Sequence, residues 1–525
     1  MRNREEGDIR MKLSTEAIEF AKEHIKKYSD SDFFPNQDCF TDLWLIWDNV
    51  KDYLENTEIG NFDISIPRIY AAPKSKGGFR IVHQLEPLNA IEYTALGYMV
   101  AQKIENARIP EKEKVACSYR ISLTPNGDFF KNKSFYKDYI DKSFELSKRF
   151  KYVLQTDITD FYNQIYVHRL QNAIELADSS LSEISKEIEH FIMRLNSNST
   201  KGIPVGPAAS IVFSESLMID LDNFIRNNGF NFTRYVDDIR IFSNKKNDLE
   251  RILEELTKYL YENHRLNLSS SKTKISLTSD FINNELNNPD DTEKQEQHKQ
   301  LIEIAQKMVE EEGYSNSFID EIELKHLDPN TQFAVYSRTL ESLLSTLIQD
   351  NKFDLGLVRH ILKQARLKRC KNILPLVLNN FDFFKPAIRE VCMYLDIVLN
   401  KQCIKQYKSE IHSILMKSES INLSFIKFWI DWLLSKKIEY IDKYNLRKYL
   451  SNQDLIWKIQ QSIIKEDTTF INSLKMDYDS YNLWEQLLIL KGMKILPKGQ
   501  VKAFVNTKKN GMKKSEEFMM LSILR

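Results

Sequence analysis

Two adjacent aspartates, Asp237 and Asp238, sit inside the apolar run RYVDDIRIF (residues 234–242), and a third, Asp157, closes the apolar segment VLQT in LQTDITDFYNQIY. Phosphoryl transfer to a nucleotide needs carboxylates of this kind, because two magnesium ions roughly 3.5–4 Å apart activate the attacking hydroxyl and stabilise the leaving pyrophosphate. A tight turn between two strands would aim the Asp237–Asp238 pair at a cation, and Asp157, delivered by a separate strand end, would close the site. The competing reading of the pair is a solvated hairpin tip, where Asp is a common turn former. Asp160 reads as an acid at a helix N-terminus, favoured by the macrodipole. Tyr162, five residues beyond Asp157, would lie beside the sugar of a nucleotide whose phosphates sit on the metals, or else is a core aromatic.

The elements that must position these groups are legible as patterns. SIPRIYAAPKSKGGFRIVHQL (65–85) reads as strand, turn around Lys76-Gly77-Gly78, and strand. A helix follows from about Asn89 to Ala107. KYVLQTDITDFYNQIYVHRL reads as a strand entering a helix near Thr159, KGIPVGPAASIVFSESLMIDLDNFI as a Gly/Pro loop entering a long helix, and RYVDDIRIF as a short hairpin. The pattern is α+β.

Near residue 290 the composition changes, with NNELNNPDDTEKQEQHKQ as a polar hinge or helix start. After Gly313 the only glycine before Gly492 is Gly356. TQFAVYSRTLESLLSTLI, PAIREVCMYLDIVL and INLSFIKFWIDWLL place apolar residues at three- and four-residue steps and recur roughly every 18 to 20 residues, the spacing of paired-helix repeats. An all-α, HEAT-like array is therefore expected there.

Bulk composition narrows the class. The chain of 525 residues is 42% hydrophobic, enough for a substantial core in each of several domains. Lys plus Arg equals Asp plus Glu at 74 each, so nucleic-acid binding must use local basic patches rather than overall charge. Five dispersed cysteines without CxxC spacing suggest neither a disulfide framework nor a zinc site and fit a reducing cytoplasm. The charged N-terminus and the lack of an eighteen-residue apolar window argue against secretion and membrane spanning.

Five motifs, in order, resemble those of reverse transcriptases: basic PKSKGGFRI (73–81), TDITDFY (156–162), GIPVGPAAS (202–210), YVDD (235–238) and LNLSSSKTKI (266–275). The resemblance spans about residues 60 to 285. It implies that Asp157 and Asp237 are the principal Mg²⁺ ligands, with Asp238 completing the acidic turn. Lys74 and Arg80 would hold the incoming triphosphate, as ammonium and guanidinium donors suit clustered phosphate oxygens. Tyr162 resembles the steric gate that selects dNTPs, Pro204 and Gly206 would shape a loop against the nascent base pair, and Lys272 would assist pyrophosphate departure as a general acid. The bland alternatives are a solvated turn for Lys74 and Arg80, helix-start punctuation for Pro204 and Gly206, and an exposed strand lysine for Lys272. Val205 stands where many reverse transcriptases have Gln, and no primer-grip segment follows Lys272.

An SYR element at Ser118 to Arg120 and the long helical C-terminal region make the chain similar to the bacterial abortive-infection, defence-associated reverse transcriptases (AbiK-like). The resemblance implies an N-terminal helical extension (1–60), right-hand polymerase fingers and palm (61–288) and an α-helical repeat domain (289–525). It also implies a homo-oligomer that makes DNA in antiphage defence, primed by a protein side chain in some members and templated by a partner noncoding RNA in others. A catalytically inactive, nucleic-acid-binding scaffold is the alternative, and an RNA polymerase a third reading.

Basic clusters suit this setting. Arg359, Lys363 and Arg366 fall on one helical face with Lys368, Arg369 and Lys371 nearby, to track a phosphate backbone or form a solvated face. PKGQVKAFVNTKKNGMKKS gathers lysines around Phe504, for single-strand contact or as a soluble tail. Tyr478 and Tyr481 in MDYDSYNLW are two of twenty-three tyrosines, too many for a priming residue to be named.

Overall fold

The fold was analysed in a computed structural model that describes residues 11–75, 77–131, 135–286, 329–437, 455–508 and 511–525. The polar segment after residue 286 and Lys76 lie outside the described residues.

Ten helices lead to and frame the sheet: α1 (Thr15–Tyr28), α2 (Cys39–Leu45), α3 (Trp47–Asn56), α4 (Pro87–Ala107), α5 (Phe135–Arg149), α6 (Phe161–Gln164), α7 (Val167–Ala177), α8 (Ser182–Leu195), α9 (Ala208–Asn227) and α10 (Lys246–Tyr259). Strands β1 (Arg68–Pro73) and β2 (Phe79–Gln84) form the expected hairpin, closed through Gly77 and Gly78 at positive φ. The second sheet is antiparallel, in the order β4 (Asn231–Tyr235), β5 (Asp238–Ser243), β3 (Tyr152–Asp157), β6 (Lys274–Leu277).

Strand alternation divides this sheet between two environments. Leu154, Ile239 and Ile241 face the main core, where they meet Leu249, Ile252 and Leu256 of α10. The opposite face carries Val153 and Phe242 at one end, packed on Leu146 of α5 and Phe281, and the acidic residues at the other. The main core extends through α4 and α9, whose close crossing requires Gly97: a Cβ there would lie 2.6 Å from that of Ala209.

Beyond residue 328 the described chain is helical, with lengths from 6 residues (Leu374–Asn379) to 21 (Pro329–Gln349). These helices fold back onto the beginning of the chain. Phe34, Ala72, Val82 and Val205 share a core cluster with Leu344, Phe384 and Trp429, and the Trp429 indole donates to the Phe33 carbonyl at 3.0 Å. Phe518, in the last helix (Lys514–Leu524), enters the main core, and Lys494 and Lys513 pair with Asp42 and Asp63. Among the described residues no helix is long and apolar enough to cross a membrane.

Candidate active site

β3 and β5 bring the three aspartates together. Asp157 lies directly opposite Asp238 in the antiparallel ladder, and Gln155 opposite Arg240. Asp237 occupies the two-residue turn between β4 and β5, where its carbonyl accepts from the Ile158 N–H at 3.3 Å.

That turn is strained. Val236, its first residue, has φ 58°, a left-handed conformation that a β-branched side chain seldom adopts. Two neighbours hold it there: the Val236 N–H donates to Ser118 Oγ at 2.8 Å, and its carbonyl accepts from Arg234 at 2.7 Å. Arg234 is wholly buried, and its fork closes on Asp222 through two 2.8 Å bonds and on Glu215 at 3.0 and 3.2 Å. The chain of charges continues through Arg108 on Glu215 (2.9 Å), Glu105 on Arg108 (3.0 Å) and Arg120 on Glu105 (2.6 Å). Three arginines thus meet three acids in the interior, each charge compensated. Burial pushes Glu215 up, but Arg108 and Arg234 outweigh it and hold its carboxyl below the usual carboxylate range. This gives the SYR element a physical role: Ser118 receives the turn, and Arg120 anchors the segment.

The aspartates themselves feel the opposite field. Burial, and then the Asp157 charge, push Asp237 up to about 6, and burial also raises Asp238 against the attraction of Arg240. The Arg240 guanidinium lies between the rings of Tyr139 (4.2 Å) and Phe281 (4.9 Å) and bonds Ser143 Oγ at 2.9 Å. The Tyr139 hydroxyl sits beside Asp238 without completing a normal hydrogen bond.

Lys272 meets Asp157, with Nζ donating to Oδ2 at 2.7 Å. Burial pulls the ammonium pKa down, but the bond to Asp157 and the nearby carboxylates outweigh it and leave it raised. Lys272 lies in a turn closed by its N–H on the Ser269 carbonyl (3.1 Å), not on a strand. The Leu266–Leu268 segment, expected as a strand, makes only the isolated bridge Ile158↔Leu268, and β6 begins after Lys272. Among the described residues no three His, Cys, Asp or Glu side chains converge closely enough to hold a metal ion. The donor chemistry nonetheless fits Mg²⁺: all three groups are hard carboxylates, and the raised Asp237 records a repulsion that a divalent cation relieves.

Tyr162 is half-buried between the main core and the cluster of C-terminal helices, within the field of Asp237. Asp160 caps α6 in the left-handed region and accepts from Asn163 Nδ2 at 2.8 Å, which fits its helix-terminal reading. The loop of Pro204, Val205 and Gly206 is clamped to the β1–β2 hairpin: the Val205 N–H donates to His83 Nδ1 at 3.1 Å and its carbonyl accepts from the His83 N–H at 2.9 Å. Gly206 has φ 133°, and a Cβ there would collide with Ser31 Oγ, so both backbone and space demand glycine. Lys74 and Arg80 are exposed on the hairpin, Lys74 at the turn and Arg80 on β2, and the field of Arg80 reaches Tyr119, whose ring neighbours Tyr235 of the YVDD turn.

Sequence patterns missed His83, Tyr139, Arg234 and Arg240. Charged residues flanking VDD within an apolar run were the one available signal, for Arg234 and Arg240. Two basic clusters are also resolved. Arg359 is tied to Glu390 at 3.2 Å, whereas Arg366 reaches the Met393 thioether and, among the described residues, no carboxylate. Phe504 is half-buried and packs its ring edge-on against Tyr478 (5.1 Å) within the helix Lys498–Lys508. Tyr478 is buried, with its hydroxyl on Glu516, which removes it from a mobile segment.

Residues 72–315 match the model of the family described as reverse transcriptase (RNA-dependent DNA polymerase). This stretch, somewhat under half of the chain, is therefore similar to a reverse transcriptase domain. No curated protein matches the chain. Among solved structures it is similar to Candida albicans telomerase in complex with a TWJ fragment of telomeric RNA, at 12% identity and TM-score 0.32, covering 70% of this chain and 65% of that one. Apo telomerase from Candida tropicalis gives 13% identity and TM-score 0.31, with 84% and 73% covered.

Proposed function

We propose that the chain is a DNA polymerase of the reverse transcriptase class, joining dNTPs to a growing strand. The observation that carries this reading is the juxtaposition of Asp157 and Asp238 in register, with Asp237 in the adjoining turn and Lys272 on Asp157. Asp157, Asp237 and Asp238 would hold Mg²⁺, which would supply positive charge for the attacking hydroxyl and the leaving pyrophosphate. Lys74 and Arg80 bind the triphosphate from the hairpin, and Lys272, kept protonated beside Asp157, donates its proton to the pyrophosphate oxygen as it departs. Tyr162 crowds the ribose 2′ position, and the rigid loop Pro204–Gly206 supports the nascent pair.

The wider reading is an antiphage, abortive-infection enzyme. It consists of an N-terminal helical extension over 1–60, fingers and palm over 61–288 and HEAT-like helical repeats over 289–525, acting in the cytoplasm as a homo-oligomer. Its strand is begun on a protein side chain or templated by a noncoding RNA. Its support is the five ordered motifs, the SYR element and the helical region packed on the hairpin. Purified protein given labelled dNTPs and Mg²⁺ tests the chemistry. Incorporation of dNTPs, with rNTPs admitted only after Tyr162→Ala, supports it. Equal use of rNTPs by the natural chain would instead indicate an RNA polymerase. One observation favours an inactive scaffold: Val205, where a template-contacting Gln is common, is buried among the C-terminal helices. Phage protection that survives Asp157→Ala would select that reading.

A further inference from the structure

Part of the basic cluster at Arg359 to Lys371 borders a cleft of ≈ 520 Å³ between the Tyr28–Asp38 segment and the C-terminal helices. Arg366, Arg369, Arg389 and Lys436 line it, with Asp38 and Asp396 as the carboxylates. Those acids are already engaged, Asp38 by Lys491 and Asp396 by Lys436 and Lys437. Two of the arginines are not. Arg366 meets a thioether at 3.2 Å, and Arg369 has no acid partner among the described residues, whereas Arg389 is held more loosely, by Asp32 at 3.9 Å and Glu390 at 3.6 Å. Guanidinium groups left without a carboxylate, as Arg366 and Arg369 are, suit phosphate oxygens across an open cleft, which they bind in a fork.

Arg369 adds a second observation. It follows the helix Leu355–Leu367 at φ 55°, and the Cys370 N–H returns to the Ala365 carbonyl at 2.8 Å, the closure of a Schellman motif. Its position in that motif is the left-handed one that glycine ordinarily fills, and a side chain there is strained. The chain accepts that strain and presents a guanidinium to the cleft.

The flanks suit bases rather than a lone anion. Trp432 lines the wall, and Leu367 and Ile397 are 59% and 47% exposed. Aromatic and apolar faces beside a basic track are how single strands are held without sequence preference. The floor connects to the polymerase site: Ser31 backs Gly206, and Phe34 shares a cluster with Val205 and Ala72.

We infer that this cleft is a binding track for single-stranded polynucleotide, with Arg366, Arg369 and Arg389 on successive phosphates and Trp432 against a base. Its connection to the loop rests on the polymerase reading; its ligand chemistry does not. The test is fluorescence anisotropy of the full chain with labelled single strands of about twenty nucleotides, one DNA and one RNA, across a range of salt. Arg366→Gln with Arg369→Gln is expected to weaken binding about tenfold and to shallow the log–log salt slope by about 1.4, since each single-strand phosphate contact contributes about 0.7. Arg369→Gly, which suits the backbone, is expected to fold at least as stably while binding severalfold more weakly. Unchanged affinity and slope in both variants, for both strands, would overturn the inference. If the natural chain incorporates no nucleotide yet binds strands through these arginines, the polymerase reading falls and the cleft stands.

Discussion

Arg234 donates to the carbonyl of Val236 at 2.7 Å from inside a cage of Glu215 and Asp222, and so a buried ion network holds the strained turn that carries Asp237. Two adjacent like charges in an apolar hairpin are therefore not an isolated local cost. The turn backbone is fixed from beneath by Arg234 and from the side by Ser118.

Replacing Arg234 by Met removes the cation paired with Asp222 and one of the two arginines paired with Glu215, leaving buried carboxylate uncompensated. The expected loss is about 3–5 kcal/mol, read by denaturant unfolding. Arg234→Lys keeps the charge but not the fork and should fall between, with incorporation reduced more than stability.

His83 supplies a pH dependence. Burial depresses its pKa to about 4, and its Nδ1 must stay unprotonated to accept the Val205 N–H. A folded pKa below the unfolded value near 6.5 means that this contribution is intact above about pH 6.5 and is lost as pH falls toward 4, about 3 kcal/mol in all. Thermal unfolding of the natural chain should weaken across that window, and His83→Asn should flatten that part of the profile.

Lys272 competes for Asp157. Lys272→Met is expected to lower the Mg²⁺ concentration needed for half-maximal incorporation, because an ammonium 2.7 Å from Oδ2 is removed. At saturating Mg²⁺ it should slow turnover about 10²-fold, as loss of a general acid does. A variant with unchanged rate and unchanged Mg²⁺ dependence would remove Lys272 from the chemistry.

The carboxylate and loop motifs were legible because each is a short pattern: Asp157 ends an apolar strand, VDD breaks an apolar hairpin, and Pro204 to Gly206 precede a helix. Tyr162 and Lys74 came with their motifs. What supports them was not legible, because Arg108, Glu215, Asp222 and Arg234 come from separate segments, and no spacing reveals a contact made through the fold. A single histidine in a strand, His83, likewise carries no signal of its partner. In the C-terminal region, periodicity reported helices correctly but not their return onto Phe34, Ala72 and Val205, which depends on side chains hundreds of residues apart. The periodicity also put Arg359 and Arg366 on one helical face, but did not reveal their partners: Arg359 is tied to Glu390, and Arg366 lines the cleft.

The central claim is that the aspartate cluster performs phosphoryl transfer. Its most direct measurement is incorporation of labelled dNTPs with Mg²⁺ by the natural chain and by Asp237→Asn, alongside thermal unfolding of both. Neutralising a carboxylate whose pKa is already raised to about 6 should leave the fold intact or slightly more stable. The account predicts incorporation by the natural chain and none above background by Asp237→Asn at equal folded protein. Undiminished incorporation by folded Asp237→Asn would contradict it.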